Sequence, residues 1–352
     1  MHFGSDNVMG ASRPVLEAIL AANDGAEAAY GSDSWSARAE AMLGEVFERP
    51  VKMFLVATGT GANALALAAM TPPWGAIFCH EESHVIDDEC GAPEMFTDGA
   101  KLIGIPGLAG KIDPAGLSAA LARFPRGVVK AVQPAGLSIS QVTEAGTLYS
   151  LDEIKALTGV ARDAGIRVHL DGARFANALA GLGCTAAEMT WKAGVDVVSF
   201  GATKNGCIAC EAVLFFDEAL ADTFQFRRKR GGHTVSKGRL LGAQLVAYLE
   251  NGHWMDNARH ANAMAATLAQ GLAAVPGVTL PWPTQANEVF AFLPKAVDEA
   301  IRGAGFRYAP WGSLSLPKDL EQGDRAFARF VTSWATKPSD INALLAKATS
   351  TS

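Results

Sequence analysis

Apolar residues along the first two thirds of the chain form short runs that alternate with longer, helix-spaced stretches. The short runs are typical of buried strands. They cover residues 54–57, 76–79, 101–103, 128–132, 167–170, 193–200 and 211–216. Helical spacing between them covers 63–70, 89–96, 114–122 and 151–164. This alternation predicts an α/β fold with a mainly parallel sheet and helices on both faces.

The two ends of the chain follow a different pattern. Helices are predicted at 14–22, where Ser12 is a candidate cap, and at 36–47. After Lys237 the pattern predicts helices at 239–250, 254–275 and 338–347, with strands at 278–280, 288–292 and 327–331. We therefore predict a large domain of residues 1–240 and a smaller α+β domain of residues 241–352. The N-terminal segment is expected to pack on the small domain.

The composition is typical of a folded globular protein and argues against some classes of binding partner. The 352 residues suit one large and one small domain, and 49% are hydrophobic against 19% charged. The net charge of −6 comes without a long basic tract, so no nucleic-acid partner is expected. No apolar run is long enough to span a membrane, and the N-terminus lacks the pattern of a signal peptide. A cytoplasmic location is the expectation.

The five cysteines do not predict a disulfide framework or a metal site. An odd number in a chain of this length argues against paired bridges. Cys207 and Cys210 have metal or redox spacing, but their apolar neighbours favour a packed strand. The set Cys79, His80, His84 and Cys90 fits no common zinc spacing, so no metal is predicted.

Two polar residues stand at the ends of predicted strands. Asp171 follows the run Val-His-Leu, and Lys204 follows the strand that ends at Phe200. Ligands of open α/β sheets bind at the carboxyl ends of the strands. A lysine amine can form a Schiff base with pyridoxal phosphate, and a carboxylate can keep the pyridinium nitrogen protonated. His169, on the same strand face as Asp171, is either a support for it or a packed core residue.

The ordered motifs identify a resemblance over nearly the whole chain. They are Ser5, Tyr30-Gly31, Thr58-Gly59-Thr60, His84, Asp171-Gly-Ala-Arg174, Lys204 and Arg329. In this order they resemble the low-specificity threonine aldolases, including the phenylserine aldolase type. The resemblance implies an aspartate-aminotransferase-like large domain with a mainly parallel seven-stranded sheet. It also implies pyridoxal 5′-phosphate as cofactor, an amino-acid substrate, and a homotetramer built from dimers whose sites are shared between subunits.

The resemblance also implies a role for each matched residue. Lys204, His84 and Asp171 are the expected catalytic residues, and His84 is expected to stack on the cofactor ring. Residues expected to bind the cofactor are Thr58, Gly59, Thr60, His84, Asp171, Arg174, Lys204 and Arg239. Residues expected to bind the substrate are Ser5, Tyr30, Arg174 and Arg329. Tyr30 and Arg239 match positions that reach the site of a neighbouring subunit.

The segment Thr58-Gly59-Thr60-Gly61-Ala62 is a strand–turn–helix start that suits a phosphate group. It half-resembles a dinucleotide fingerprint, with Ala64 in place of the third glycine. Glu81 and Glu82 are poor candidates for the ribose-binding acid. A nicotinamide-dependent oxidoreductase therefore stays open as a less favoured hypothesis.

One departure from the family pattern concerns the base for the substrate hydroxyl. Many threonine aldolases have Asn-Thr-His-Asn after the strand that aligns with residues 128–132. This chain has Gln133-Pro134-Ala135-Gly136, which places Ala135 at the histidine position. His84, or a water that it holds, is then the expected base, and the smaller residue would give room to a bulky β-substituent such as phenyl.

The reaction that the resemblance implies is cleavage of L-β-hydroxy-α-amino acids, such as threonine, allo-threonine and phenylserine, to glycine and an aldehyde. The protein would then be a carbon–carbon lyase. Another pyridoxal phosphate reaction on the same fold, such as β-elimination or transamination, is the main alternative. A non-catalytic scaffold is disfavoured because it has no reason to keep both Lys204 and Asp171.

Overall fold

The structure is a computed structural model, and it describes residues 1–317, 320 and 323–350. A seven-stranded sheet forms its larger part, with the strand order β1-β7-β6-β5-β4-β2-β3. The strands are β1 (Lys52–Val56), β2 (Gly75–His80), β3 (Lys101–Ile105), β4 (Gln133–Ser140), β5 (Arg167–Gly172), β6 (Val197–Gly201) and β7 (Glu211–Phe215). The predicted α/β fold with a seven-stranded sheet is confirmed.

Parallel pairing dominates this sheet. Strands β3, β2, β4, β5 and β6 are paired in parallel, whereas β7 runs antiparallel to both β6 and β1. In the register, Ser140 of β4 lies opposite Asp171 of β5, which lies opposite Ser199 of β6. The carboxyl ends of these three strands therefore meet at one edge of the sheet.

The strand predicted at 128–132 is wrong. Residues 128–131 form a turn in which the Ala131 amide donates to the Val128 carbonyl at 3.0 Å, and Val129 is fully exposed. The Gln133 side chain closes this turn by accepting from the Gly127 amide at 2.8 Å and donating to the Ala131 carbonyl at 3.0 Å. Strand β4 begins only after it, so the apolar valines mark a surface turn.

Helices cover both faces of the sheet and form much of the C-terminal part. Several short ones, including α8 and α11, carried no clear sequence signal, and the helix predicted at 89–96 begins only at Ala92. The helices of the described residues are α1 (Arg13–Ala22), α2 (Ser34–Val46), α3 (Gly59–Met70), α4 (His84–Asp87), α5 (Ala92–Phe96), α6 (Pro114–Ala122), α7 (Leu151–Asp163), α8 (Phe175–Leu182), α9 (Ala186–Met189), α10 (Glu218–Ala221), α11 (Phe224–Arg230), α12 (Arg239–Leu249), α13 (His253–Ala273), α14 (Lys295–Gly303) and α15 (Pro338–Thr349).

A second, antiparallel sheet has the order β8-β10-β9, with β8 (Glu288–Pro294), β9 (Ala309–Pro310) and β10 (Arg325–Val331). The strand predicted at 278–280 is wrong, since only Thr279 forms a single bridge to Phe292. The N-terminal segment joins this region: the Phe3 amide donates to the Arg307 carbonyl at 2.6 Å, and the Val331 amide donates to the Phe3 carbonyl at 2.8 Å.

Helix α13 connects two hydrophobic cores. Its residues Trp254 and Ala258 belong to the core under the large sheet, whereas Ala265 and Leu268 belong to the core of the small sheet. Helix α12, which precedes it, packs on α1 and α2. The domain division at residue 240 stays a prediction, and we place the change of core inside α13.

Within the part of the chain that the structure describes, no helix is both long and apolar enough to cross a membrane. The cytoplasmic location stays a prediction.

Candidate active site

A cavity of about 570 Å³ opens at the carboxyl ends of β4, β5 and β6. Its wall also takes in the start of α3, the N-terminal segment and the small sheet. Nine of the predicted site residues line it: Ser5, Thr58, Gly59, Thr60, His84, Asp171, Arg174, Lys204 and Arg329. Residues from six separate stretches of sequence therefore meet in one cavity.

Asp171 is a buried carboxylate at the end of β5. Its Oδ1 accepts a hydrogen bond from the Ala173 amide at 3.0 Å, and its Oδ2 accepts one from Asn63 Nδ2 at 2.7 Å. Hydrogen bonds that hold both oxygens fix the orientation of the group. Asp171 can therefore present a fixed negative charge to a ligand.

Lys204 lies in the short 3₁₀ turn Thr203–Asn205 that follows β6. Buried groups hold this turn: Asn205 Nδ2 donates to the Tyr248 hydroxyl and to the Trp254 carbonyl, both at 2.8 Å. Gly206 has a φ of +118°, and a Cβ there would lie 2.8 Å from Asn257 Nδ2. Among the described residues, Lys204 Nζ has no hydrogen-bond or ion-pair partner. The turn is therefore held by its neighbours, while the lysine amine is free to bind a ligand.

The start of α3 forms the third part of the cavity wall. Thr58 is its N-cap, and the threonine Oγ1 accepts from the Gly61 amide at 3.0 Å. The amides of Gly59 and Thr60 belong to the first turn, which has no carbonyl of its own helix to bind. A Cβ on Gly61 would lie 2.3 Å from the His233 ring, so any larger residue would displace this histidine. The donor set suits an anionic group such as phosphate.

His84 begins the short helix α4 and is half-buried. Its amide donates to Glu144 Oε1 at 2.7 Å, and its Nδ1 lies 3.0 Å from Glu89 Oε1. The hydrogen bond to Glu89 raises the pKa of His84, although burial acts in the opposite direction. The backbone of His84 is therefore held by Glu144 and its imidazole by Glu89, and the ring is a stronger base than a free imidazole.

Two arginines lie on the opposite side of the cavity. Arg174 Nε is 2.7 Å from Asp6 Oδ2, and its Nη1 is 3.2 Å from Glu288 Oε2. Arg329 Nη1 is 3.8 Å from the same Glu288, and its guanidinium carbon lies 4.2 Å from the centre of the Trp311 ring. The sequence predicted these arginines as a clamp but missed the two acids that hold them.

Burial and neighbouring charges shift the pKa values of the groups around the two arginines. Burial raises the pKa of Asp6, but the nearby Arg174 and Lys204 outweigh it, so the pKa lies below its ordinary value. Burial lowers the pKa of Arg329. Arg329 Nε is buried and has no hydrogen-bond partner among the described residues. An unpaired buried arginine donor beside these three ion pairs suits the binding of a carboxylate.

Tyr30 and Arg239 do not line this cavity. Tyr30 is 53% exposed, with its backbone at a φ of 62° and its ring beside Lys229. Arg239 is at the start of α12, where its Nη1 donates to the carbonyls of Asp24 and Gly25. Their predicted roles at the site of a neighbouring subunit stay predictions.

The expectation about Ala135 is wrong, because it depended on the strand misplaced at 128–132. Ala135 lies near the beginning of β4, at the sheet edge opposite to the site. The residues that follow β4 are Gln141, Val142, Thr143 and Glu144, and none of them is a histidine. The histidine expected after β4 is therefore still missing. Ala135 does not enlarge the cavity, because it lies at the other edge of the sheet.

Several acids of the site gave no sequence signal. Glu144 and Glu211 line the cavity, and burial raises the pKa of each to about 7. Glu89 is also buried, and burial raises its pKa. Glu89 and Glu211 begin a predicted helix and a predicted strand, and Glu144 lies in no predicted element, so the burial of these acids is visible only in the structure.

Two other sequence interpretations concern packing. Cys207 and Cys210 are free thiols buried in the core under the large sheet, as predicted. His169 is fully buried between Ser138 and Ser199, with its ring nitrogens 2.9 Å from each hydroxyl, and burial lowers its pKa to about 4. It is thus a neutral, hydrogen-bonded histidine inside the sheet.

The fold and the cavity define an α/β protein whose site presents an amine, a carboxylate, an anion-binding helix start and paired arginines. The model of the beta-eliminating lyase family matches residues 2–296. The chain belongs to the beta-eliminating lyase family.

Two relatives and one solved structure show which members of this family the chain is similar to. The chain is 40% identical over 344 residues to a low specificity L-threonine aldolase of Pseudomonas sp. (strain NCIMB 10558), which covers 98% of this chain and 96% of the relative. A low specificity L-threonine aldolase of Pseudomonas aeruginosa is 42% identical over 95% of this chain and 93% of its own. A solved structure of Leishmania major threonine aldolase superposes with a TM-score of 0.90 at 29% identity, over 99% of this chain and 98% of that one. The resemblance to low-specificity threonine aldolases is confirmed.

Proposed function

We propose that the protein is a pyridoxal-phosphate-dependent aldolase, a carbon–carbon lyase that cleaves L-β-hydroxy-α-amino acids to glycine and an aldehyde. Threonine, allo-threonine and phenylserine are the proposed substrates. The observation that carries the proposal is the cavity itself, which brings Lys204, Asp171, His84 and the two arginines together. The names of the relatives support the same activity.

The residues present fit the cofactor. Asp171 would hold its ring nitrogen, Lys204 its aldehyde carbon, and Thr58, Gly59 and Thr60 its phosphate. His84 would lie beside the ring. When bound, the cofactor would accept the electron pair left on Cα as the Cα–Cβ bond breaks. Asp171 supports this because its fixed negative charge keeps the ring nitrogen protonated.

The chain's own residues would bind and orient the substrate. Arg329 Nε and the unused N–H groups of Arg174 would bind the substrate carboxylate, with Ser5 beside them. This contact would hold the breaking bond in one orientation relative to the ring. Asp6 and Glu288 would keep both guanidinium groups in place between turnovers.

His84 would move the proton of the reaction. Its Nδ1 faces Glu89, so its Nε2 would accept the proton of the β-hydroxyl group, directly or through a water. Glycine forms once Cα has taken up a proton in place of the lost aldehyde carbon. Because none of the residues 141–144 after β4 is a histidine, His84 is the best-placed base of the site.

The test compares the wild type with Lys204→Ala. We expect a visible band that borohydride reduces in the wild type only, and release of glycine and aldehyde from L-threonine and phenylserine. Ammonia and a keto acid as products would instead support β-elimination, and a keto acid without free ammonia would support transamination. No band after addition of pyridoxal phosphate would overturn the proposal and reopen the oxidoreductase hypothesis, which the family match disfavours.

We further propose a homotetramer with sites shared between subunits. The position of Tyr30 and Arg239 outside their own chain's cavity supports it, because residues with a site role would then act on a neighbour. Sedimentation of the purified protein would measure the oligomeric state. Loss of activity on Arg239→Ala with unchanged folding would support the shared site.

A further inference from the structure

A chain of hydrogen bonds runs along the wall of the cavity from His84 to Asp171, and all four of its residues line the cavity. His84 Nδ1 lies 3.0 Å from Glu89 Oε1, and Asn63 Nδ2 donates to the same Oε1 at 2.8 Å. Asn63 Nδ2 also donates to Asp171 Oδ2 at 2.7 Å. His84 and Asp171, at the two ends, are predicted site residues. Glu89 and Asn63, between them, have no role in the proposed mechanism.

The two middle residues are deeply buried. The Glu89 side chain has no exposed surface, and Asn63 is 3% exposed. A buried carboxylate needs donors, and Glu89 obtains them from His84 and Asn63. Asn63 faces a carboxylate on each side, so only its NH₂ group, which has two hydrogens, satisfies both. These contacts fix the arrangement of all four side chains.

We propose that Glu89 and Asn63 are positioning residues: Glu89 orients His84 as the proton acceptor, and Asn63 bridges Glu89 and Asp171 and fixes how the two carboxylates are placed. This inference rests on the proposed function, because it depends on the roles proposed there for His84 and Asp171. Both residues would act through the groups to which they are hydrogen-bonded.

Glu89 determines which nitrogen of His84 is available. A carboxylate accepts a hydrogen bond, so Nδ1 carries the proton and Nε2 is left as the acceptor. Among the described residues, Nε2 has no hydrogen-bond partner, and 41% of the His84 side chain is exposed. The free nitrogen is thus the one that a substrate can reach.

Other charged groups also face His84 from neighbouring elements. Asp171 on β5 raises the pKa of His84, and Lys204 after β6 lowers it. Glu144 after β4 binds the backbone amide of His84. Glu89 has the largest effect, because its hydrogen bond is the first cause of the raised pKa.

Asn63 works on the carboxylates. Asp171 raises the pKa of Glu89 by charge repulsion, whereas the hydrogen bond from Asn63 lowers it. Without this donor, two nearby carboxylates compete for one proton. Asn63 is the fifth residue of α3, so the helix whose start would bind the phosphate also fixes the carboxylate that would bind the ring nitrogen.

The first experiment measures kcat and KM against pH for Glu89→Gln. The glutamine has the same shape, but its NH₂ group can donate to Nδ1 and so favour the wrong tautomer. We expect kcat to fall about tenfold or more with little change in KM. The acidic limb of the kcat profile should move about one pH unit lower, because His84 loses its charged partner. Glu45→Gln, an exposed change on α2, is the matched control.

The pH shift separates positioning from simple damage to the fold. A variant that only loosens the site lowers kcat without moving the limb. Glu89→Asp keeps the charge and should keep the limb near its wild-type position, although the shorter side chain lowers kcat. An unmoved limb in Glu89→Gln would overturn the role of Glu89.

The second experiment uses Asn63→Leu and reads the bound cofactor rather than turnover. Loss of the donor should raise the proton affinity of the Asp171–Glu89 pair. We therefore expect the pH midpoint of the visible cofactor band to shift and the affinity for pyridoxal phosphate to fall severalfold. An unchanged midpoint and affinity, with the cofactor bound, would overturn the role of Asn63.

The two experiments separate this inference from the proposed function. If the wild type binds the cofactor and releases aldehyde while neither variant moves its pH behaviour, the inference fails and the function stands. If the wild type releases no aldehyde but the Asn63→Leu band still shifts, the function fails and the link between Asn63 and the cofactor site stands.

Discussion

The two sides of the cavity are built in different ways. On the side of Asp171 and Lys204, both groups stand at or just after the ends of strands of one continuous sheet; neutral donors bind Asp171, and hydrogen bonds of Asn205 hold the turn that carries Lys204. On the side of Arg174 and Arg329, the groups come from the N-terminal segment, the large sheet and the small sheet, and ion pairs hold them. The first side is a rigid frame, whereas the second depends on how the two sheets are placed.

This difference predicts that changes on the sheet side affect the chemical step most. Asp171→Asn keeps the shape of the group and removes its charge. We expect kcat to fall about 10²–10³-fold, because a fixed charge at the cofactor ring is lost. The measurement is single-turnover release of aldehyde from L-threonine, with cofactor occupancy followed by absorbance. Full activity at full occupancy would show that this carboxylate is not the ring partner.

Changes on the arginine side should instead affect substrate binding. Arg329→Lys keeps the charge but loses the planar fork and the unpaired Nε. We expect KM to rise about 10–100-fold with a smaller change in kcat. Steady-state kinetics with L-threonine measure both constants. Arg325→Lys, on the same strand β10 but outside the lining of the cavity, is the control. A fall in kcat at constant KM would place Arg329 on the chemical side of the comparison.

The same contrast explains what the sequence could and could not predict. Asp171 and Lys204 stand at the ends of short apolar runs, and the parallel sheet brings such ends together. Asp6 and Glu288 carry no such signal, because their partners are set by the way distant segments fold onto each other. The error at β4 has a third cause: Val128, Val129 and Val132 are an apolar run, but a turn closed by Gln133 exposes part of it.

On the sheet side of the cavity, the buried acid Glu211 is expected to make the stability of the protein depend on pH. Burial raises the pKa of Glu211 to about 7, and its Oε2 accepts the Ala202 amide at 2.9 Å. The unfolded chain ionises this group near the ordinary value of 4.5. The unfolded state therefore binds fewer protons between pH 4.5 and 7, and Glu211 lowers stability as pH rises through that window.

Glu211→Gln removes this loss while its amide oxygen can still accept the Ala202 N–H group. We expect the variant to gain about 1–2 kcal/mol on the wild type between pH 5 and pH 8. Urea unfolding at the two pH values measures the difference. Glu218→Gln, an exposed change on α10, should show no such pH dependence. Equal gains at both pH values would mean that Glu211 is ionised in the folded protein throughout.

The smallest expected effect concerns the start of α3, where the rigid frame meets the proposed phosphate. Thr58→Val keeps the β-branched shape but removes the Oγ1 that accepts the Gly61 amide. Loss of an N-cap acceptor costs about 1 kcal/mol of stability. Thr58→Ser keeps the oxygen and should retain most of it, and urea unfolding without cofactor measures both. If valine and serine variants are equally stable, the cap does not hold the helix start, and its fixed geometry must come from packing alone, with the His233 ring over Gly61 as the main contact.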